Sequence, residues 1–220
     1  MRKGIRIPIG DIQYVLLDMD GTLLDLYFDD YFWGHLVPEK YAEKHNMTFG
    51  AAKDYLYSTY KKHERTLNWC DIDFWSRELR LDIPALKEQI RHLIEVHPHV
   101  VEFLTSMRRQ GKKIFLLTNA HFKTVKLKFN KTQIGKYFDD VLCSFNVGYP
   151  KEYKEFWQKA EKKLKFAKEH SLFIDDTEDV LITAKEFGIR YLIFKARASS
   201  KAEPKKTEAF PVIHDFRELM

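Results

Sequence analysis

The sequence predicts an α/β fold in which a doubly wound parallel sheet carries an inserted helical subdomain. Short, nearly continuous apolar runs recur along the chain, as is typical of strands that are buried on both faces of a parallel sheet. Helical patterns separate most of these runs, and this alternation indicates a doubly wound sheet. One long stretch near the N-terminus has helical patterns alone, which indicates an insertion.

Five apolar runs are predicted strands. In chain order they are YVLLD at 14–18, IFLLT at 114–118, VLCS at 141–144, LFID at 172–175 and YLIF at 191–194. Residues 98–111 and 177–187 have apolar residues at helical spacing, and each pattern stops at a glycine. We expect a loop at 196–207, because this stretch is rich in serine, proline and lysine.

Residues 26–97 lack a strand pattern. Their amphipathic stretches include FDDYFWGHL, TFGAAKDYLYSTYKKHER and DIDFWSRELRL. The segment is too long for a single crossover helix, so we interpret it as a helical subdomain inserted after the first strand. The predicted α/β core then consists of residues 1–25 and 98–220.

Composition limits the class of protein. The 220 residues are enough for one domain with an insertion, and 45% hydrophobic residues argue against a disordered chain. Cys70 and Cys143 form no close-spaced pair and the histidines show no ligand spacing, so we do not expect a zinc or redox motif. No apolar run approaches the roughly 20 residues of a membrane helix. With few cysteines and no leader pattern, the expected location is the cytoplasm.

The net charge of +5 comes from lysines concentrated in three segments, 123–136, 151–168 and 195–206. Glutamates alternate with lysines in the middle segment, as on a solvated helix face. We therefore expect the lysine runs to serve solubility and a mild attraction of anions. No nucleic-acid motif accompanies them, so we expect no nucleic-acid partner.

Candidate catalytic residues follow the predicted strands. Ligands of open parallel sheets bind at the carboxyl ends of the strands, and the first strand ends in Asp18-Met19-Asp20-Gly21. Two carboxylates one residue apart can face one pocket, hold a hard divalent cation and do nucleophilic and acid–base work. Asp-Gly is also an ordinary turn sequence, and the motif alone does not decide between these interpretations.

The other strand ends add polar groups in a fixed order. Thr118 and Asn119 end the second strand beside a predicted helix start, which suits phosphate oxygens. Lys151 follows a turn after the third strand, and Asp175 and Asp176 end the fourth. Separately, the lysine could be a surface residue and the aspartates helix caps. Together, two carboxylate clusters with a threonine and a lysine between them in the sequence are hard to explain as helix caps and surface residues, and they favour a functional site.

These motifs are similar to those of a known family. DMDGT, LLTNA, a Pro-Lys pair and FIDDT occur in the order of the four motifs of the haloacid dehalogenase-like superfamily, and the resemblance covers essentially the whole chain. It implies a Rossmann-like core, with the insertion as an α-helical cap. The stretches LLDMDGTLLDLYFDDYFWGHLVPE, TLNWCDIDFWSREL and GYPKE further resemble the GMP/IMP 5'-nucleotidase branch.

The resemblance implies a phosphatase with an aspartyl-phosphate intermediate. Asp18 would be the nucleophile, and Asp20 would protonate the leaving oxygen and then deprotonate water. Thr118 and the backbone around Asn119 would bind phosphate oxygens, while Lys151 would offset negative charge. The substrate would be a small phosphorylated metabolite, GMP or IMP in the branch that the chain resembles.

The resemblance also implies Mg²⁺. Asp18, the backbone carbonyl of Asp20 and Asp176 would hold the ion, with Asp175 as a further ligand or as support for the ligands. Asp179 would support the site from the start of the next helix. The cap would close over the substrate and exclude water.

Several alternatives remain open at this point. True dehalogenases of the superfamily need no second aspartate, so Asp20 argues against that reaction. A phosphoglucomutase-type enzyme, or a phosphatase of phosphoglycolate or a sugar phosphate, would use the same core. A binding module without activity would be expected to lack a core residue, and all are present. The sequence does not indicate an oligomeric state or a membrane partner.

The insertion is rich in aromatic residues. We expect most of them to pack inside it and one or two to stack on a base; they are Tyr27, Phe28, Phe32, Trp33, Trp69, Phe74 and Trp75. Candidate polar partners of a base are Asn68, Asp29, Asp30 and Asp71, each of which could instead cap a helix.

Overall fold

The computed structural model describes residues 7–220. The first six residues of the predicted segment 1–25 lie outside this range. Within residues 7–220, six strands form one parallel sheet: β1 (Tyr14–Leu17), β2 (Lys113–Thr118), β3 (Asp140–Cys143), β4 (Ser171–Asp175), β5 (Tyr191–Lys195) and β6 (Val212–Ile213). The predicted α/β fold with a doubly wound sheet and a helical insertion is confirmed.

The strand order β3-β2-β1-β4-β5-β6 places β1 at the centre of the sheet. Leu17 pairs with Leu116 of β2 on one side and with Ile174 of β4 on the other. The chain therefore winds outward from β1 in both directions. The carboxyl ends of β1, β2 and β4 meet at this switch point, where such sheets bind ligands.

The predicted strands agree with the observed ones to within one residue at each end. They were recognisable because they are buried on both faces, which makes the whole run apolar. The two-residue β6 was not predicted, since it is too short to carry a pattern. Residues 196–207 are irregular, as expected.

Residues 26–97 fold into helices. These are α1 (Tyr27–Tyr31), α2 (Val37–His45), α3 (Phe49–Lys61), α4 (Leu67–Cys70), α5 (Ile72–Leu79) and α6 (Ile83–Gln89), with a π turn at Phe32–Leu36 and a 3₁₀ turn at Arg91–Leu93. The π turn joins α1 and α2 into one continuous helical run. We call this segment the helical insertion.

The remaining helices pack on the sheet. They are α7 (Val100–Arg109), α8 (Phe122–Thr132), α9 (Ser144–Val147), α10 (Lys154–Leu164) and α11 (Glu178–Phe187), with 3₁₀ turns at Ile9–Asp11, Ile134–Tyr137, Lys168–His170 and Phe216–Leu219. Among residues 7–220, no helix combines the length and apolar character that crossing a membrane requires.

Two apolar layers cover the sheet. On one face, Leu16 packs with residues of α10 such as Phe156 and Trp157. The lysine-rich α10 thus has a solvated face, as expected, and an apolar face that belongs to the core. On the other face, the layer beneath Leu17 continues without interruption into the helical insertion. Shared burial of this kind holds the insertion against the sheet.

The two chain segments that connect the helical insertion to the rest of the protein lie next to each other. Leu24 and Val96 form an antiparallel bridge, and the His97 N–H donates to the Leu23 carbonyl at 2.9 Å. The loop after β5 joins the same place, because the Ala198 carbonyl accepts from the Leu26 N–H (2.9 Å) and lies 3.1 Å from the His97 Nε2. The division of the chain into an α/β core (1–25 and 98–220) and a helical cap (26–97) stays a prediction. This junction is where we propose its boundary.

Candidate active site

Asp18 is buried directly after β1. Its N–H donates to the Ile174 carbonyl at 3.0 Å, which continues the strand ladder and fixes the backbone. Its Oδ1 accepts a hydrogen bond from the Lys151 Nζ at 2.5 Å. Its Oδ2 is buried and has no partner among the described residues. One oxygen is therefore held while the other is available for a ligand.

The turn after Asp18 requires glycine. Gly21 has a φ of +82°, which side-chain-bearing residues rarely adopt. A Cβ atom there would lie 2.5 Å from the Asp176 Oδ2. Gly21 thus lets the loops after β1 and β4 approach each other, so that their carboxylates share one space.

The Lys151 ammonium joins two strand ends. It donates to Asp18 and, at 2.7 Å, to the Asp175 Oδ2. Burial acts to lower the pKa of Lys151, but the two carboxylates outweigh it and raise the pKa above its ordinary value. Lys151 therefore stays charged. Its ammonium offsets part of the negative charge beside Asp18.

The Asn119 side chain holds the turn that carries Lys151. Its Oδ1 accepts from the Lys151 N–H, and its Nδ2 donates to the Glu152 Oε2, both at 2.9 Å. The amide is thus engaged with protein groups, and the backbone at this position remains the expected phosphate contact. Thr118 is buried at the end of β2, and its Oγ1 accepts from the Ala120 N–H at 3.0 Å.

Asp175 is the last residue of β4, Asp176 follows it, and both are buried. The Asp175 Oδ1 accepts from the Thr177 N–H at 2.8 Å, and the Asp176 Oδ2 accepts from the Lys205 Nζ at 2.6 Å. Burial raises the pKa of Asp175 to about 8 against the opposing pull of Lys151. Neither side chain caps α11, so the helix-cap alternative does not account for them.

The residues at this edge fit a divalent cation. Carboxylate oxygens of Asp18, Asp175 and Asp176 lie within 4.8 Å of one another. The donors are oxygens alone, as hard cations such as Mg²⁺ prefer, and Asp18 has one oxygen, Oδ2, without a partner among the described residues. Lys151 pairs with Asp18 and Asp175, and Lys205 pairs with Asp176, so two ammonium groups face three buried carboxylates and a cation would also relieve the repulsion among the carboxylates.

The Asp20 carboxylate points to a different partner. Its Oδ1 accepts from the Lys128 Nζ at 2.5 Å. Burial raises the pKa of Asp20 to about 6, while Lys128 opposes this shift. A carboxyl with a pKa in this range can both donate and accept a proton near neutral pH.

A cavity of about 710 Å³ lies between the strand ends and the helical insertion. Its lining includes the predicted residues Asp18, Asp20, Thr118, Asn119, Lys151 and Asp176. Asp175 lies behind this surface, against Lys151. Asp179 was expected to support the site, but it forms an ion pair with Arg65 of the helical insertion at the protein surface.

Most of the singled-out aromatic residues pack inside the insertion, as expected. Phe28, Phe32 and Trp75 are buried, whereas Trp69 is 41% exposed and lines the cavity together with Trp33. The polar candidates divide in the same way. Asp29 and Asp30 line the cavity, Asp71 caps α5 and Asn68 lies in α4 away from the lining.

Several residues of the site were missed. Tyr57 and Tyr60 line the cavity, and Lys87, Lys128 and Lys205 bind its carboxylates. The expectation that the lysine runs are solvated is wrong for Lys128 and Lys195, which are both 1% exposed. The burial of Lys128 could have been recognised from its spacing in the sequence, because it lies four residues, about one helical turn, after the buried Thr124.

Comparisons with known proteins agree with this geometry. Residues 12–188 match the haloacid dehalogenase-like hydrolase family. The chain is 38% identical to GMP/IMP nucleotidase YrfG of Escherichia coli over 98% of this chain and 97% of that protein. It is 23% identical to pyrophosphatase PpaX of Bacillus mycoides over 81% of each chain.

A solved HAD phosphatase from Thermococcus onnurineus has the same fold, with a TM-score of 0.81, 22% identity and coverage of 94% of this chain and 96% of that one. The prediction of a phosphatase in this superfamily is confirmed by the family match and the full-length similarity. Three of the four motifs lie at strand ends, and the Pro150-Lys151 motif follows α9 and reaches the same edge of the sheet through the Lys151 side chain. The chain therefore belongs to the haloacid dehalogenase-like hydrolase family.

Proposed function

We propose that the protein is a Mg²⁺-dependent 5'-nucleotidase that hydrolyses GMP or IMP through an aspartyl-phosphate on Asp18. The observation that carries this proposal is the Asp18 carboxylate, buried with one oxygen on Lys151 and the other unpartnered beside the cavity. The similarity to GMP/IMP nucleotidase YrfG over nearly the full chain supports the choice of substrate.

In the first step, an Asp18 oxygen attacks phosphorus and the bond from phosphorus to the nucleoside oxygen breaks. Lys151 keeps Asp18 in place and offsets negative charge in the transition state, as a fixed cation does in a site that excludes water. Thr118 and the backbone after it lie at the neighbouring strand end, where they can bind phosphate oxygens. Water then attacks the aspartyl-phosphate and releases phosphate.

Asp20 is the proposed proton carrier. It lines the cavity next to Asp18, and the pKa of about 6 lets it give a proton to the leaving oxygen and later take one from water. General acid–base groups contribute roughly 10²- to 10⁴-fold to a rate.

Asp18, Asp176 and the Asp20 carbonyl are the proposed Mg²⁺ ligands, with Asp175 supporting them through Lys151. When bound there, Mg²⁺ supplies charge neutralisation for the phosphoryl group and orients it. Lys205 also contacts Asp176, so the loop after β5 reaches the ligand set.

The cavity supports a substrate of nucleotide size. Its volume lies within the range of roughly 300–1,000 Å³ that is typical of ligand sites, and its outer part is formed by the insertion. Trp33, Tyr57 and Trp69 provide partly accessible rings on which a base can stack. Lys61 and Glu64 line the same part and can pair with a purine edge.

The test compares kcat/KM for GMP, IMP, AMP, UMP, phosphoglycolate and glucose phosphates at one Mg²⁺ concentration. We expect GMP and IMP to be the best substrates. If phosphoglycolate or a glucose phosphate exceeds both by about tenfold, a difference of about 1.4 kcal/mol, the nucleotidase proposal fails. The assignment of phosphatase chemistry would survive that result.

A further inference from the structure

We propose that Lys128 is a positioning residue that fixes the Asp20 carboxylate for proton transfer and anchors it to the helical insertion through Asp29. The proposal rests on the proposed function, since it assumes that Asp20 carries the proton. It assigns a task to a buried lysine that the family motifs do not include.

Lys128 lies on α8, and its ammonium is enclosed by acceptors. It is 1% exposed, and its Nζ lies 2.5 Å from the Asp20 Oδ1 and 2.5 Å from the Asp29 Oδ2. The Phe28 ring, 5.1 Å from the Nζ, lies on another side. One ammonium thus joins three parts of the chain: a core helix, the loop after β1 and the first helix of the insertion.

A second lysine completes the cluster. The Nζ of Lys87, from α6, donates to the Asp29 Oδ1 at 2.9 Å, so each oxygen of Asp29 binds one lysine. Lys87 is 2% exposed and lies 4.3 Å from the centre of the Phe32 ring. Two lysines and two aspartates leave no net formal charge, which is how four charged groups can be buried together.

Asp20 depends on this cluster for its orientation. Among residues 7–220, Lys128 is the one hydrogen-bond partner of the Asp20 side chain. Proton transfer requires the carboxyl to lie within about 2.6–3.2 Å of the leaving oxygen, and a carboxylate without a partner can rotate away. Lys128 is not part of the cavity lining, so it acts through Asp20 and does not contact the substrate.

This role predicts a dependence on the leaving group. In the first step the Asp18–phosphorus bond forms, the bond to the leaving oxygen breaks, and Asp20 gives that oxygen its proton. A nucleoside alkoxide needs the proton, whereas 4-nitrophenolate leaves without it. Loss of Asp20 positioning should therefore slow GMP hydrolysis far more than hydrolysis of 4-nitrophenyl phosphate, while a general structural defect should slow both alike.

The experiment measures kcat/KM, which reports the steps up to the first irreversible one, for both substrates in Lys128→Met. We expect a loss of about 10- to 100-fold for GMP and less than about threefold for 4-nitrophenyl phosphate. Lys126→Met is the matched control, because Lys126 lies on the same helix but is exposed. It should leave both values unchanged.

Lys128→Met leaves Asp20 without a counter-ion and Asp29 with Lys87 alone, so a second variant guards against misfolding. Lys128→Met with Asp29→Asn removes one charge of each sign and should show the same selective loss. Equal losses for the two substrates, or no loss, in a folded variant would overturn the proposal.

Asp20→Asn separates the failure of this inference from the failure of the proposed function. If Asp20→Asn itself shows no selective loss, the proton-carrier assignment fails together with this inference. If Asp20→Asn does and the Lys128 variants do not, this inference alone fails.

Discussion

Two regions face the same cavity but are held in different ways. The strand-end site (Asp18, Asp20, Lys151, Asp175 and Asp176) consists of buried or nearly buried charges with assigned partners. The aromatic wall of the insertion (Trp33, Tyr57 and Trp69) is partly exposed, with Tyr57 and Trp69 exposed by 49% and 41%. Preorganised charges suit one fixed chemistry, whereas accessible rings can accept different leaving groups.

This difference predicts which kinetic constant each region controls. Apart from the leaving-group dependence expected at Asp20, changes in the strand-end site should lower kcat for every substrate, because all substrates share the phosphoryl group. Changes in the aromatic wall should alter KM and the ranking of substrates, because only the leaving group reaches it. The predictions below test this division, from the largest expected effect to the smallest.

Asp18→Asn should abolish hydrolysis of every phosphate ester. The amide cannot act as the nucleophile, and loss of a nucleophile lowers kcat by roughly 10⁴-fold or more in enzymes of this kind of mechanism. Far-ultraviolet circular dichroism should show an intact fold, because the side chain keeps its shape. Near-normal turnover in the folded variant would contradict the assignment of Asp18 as the nucleophile.

Removal of divalent cations with a chelator should abolish activity, and added Mg²⁺ should restore it. Asp176→Asn should raise the Mg²⁺ concentration for half-maximal activity by at least about 10- to 100-fold, since even residues that only support metal ligands have effects of this size. Asp179→Asn is the control, because Asp179 is an exposed carboxylate of the same loop-to-helix region that pairs with Arg65. Equal Mg²⁺ titrations of the two variants would contradict the ligand assignment.

The junction between the regions should be sensitive to acid. Burial, assisted by Lys195, lowers the pKa of His97 from 6.5 to about 4. Between these values the unfolded chain binds a proton that the folded chain does not. The contribution of His97 to stability is therefore complete above pH 6.5 and is lost as the pH decreases toward 4, by up to about 3 kcal/mol.

His97→Gln removes this titration and should flatten the decrease in unfolding free energy across that pH range. Denaturant unfolding at a series of pH values measures it. His92→Gln is the control, since His92 is exposed in the nearby 3₁₀ turn. If the two variants have the same pH profile as the wild type, another group controls acid stability at the junction.

Trp69→Ala should weaken the preference for GMP over phosphoglycolate by about tenfold, because a stacked base contributes roughly 1–3 kcal/mol. The kcat for phosphoglycolate should change little. Tyr55→Ala is the control within the same insertion: Tyr55 is exposed and packs on Tyr41, away from the cavity. Equal effects of both substitutions would show that Trp69 does not determine the preference for GMP through contact with the leaving group.

Most residues of the strand-end site could be predicted from the sequence because they follow directly after apolar runs. Such runs indicate parallel strands, and the topology then brings their ends together, so Asp18, Thr118 and Asp175 were found from local patterns. Lys151 was found from its place in the order of the motifs. The hydrogen bonds by which the Asn119 side chain holds the turn at Lys151 could not be predicted from the sequence, because its partners are more than 30 residues away along the chain.

The other elements of the site depend on helix packing, which leaves a weaker trace. Lys128 lies among exposed lysines, and nothing local distinguishes it from Lys126 except its place on the buried side of α8. Tyr57 and Tyr60 are ordinary members of an amphipathic helix until α3 is placed against the cavity. The two-residue β6 carries too few residues for any periodicity.

The central claim is that the phosphoryl group passes through Asp18. Rapid acid quenching during turnover of GMP with an isotopically labelled phosphate, followed by peptide mapping, tests it directly. We predict that label is trapped on the peptide that contains Asp18, is released by hydroxylamine as expected for an acyl phosphate, and is absent in Asp18→Asn. Rapid turnover with no trapped label at any quench time, or with label on a different residue, would contradict the account.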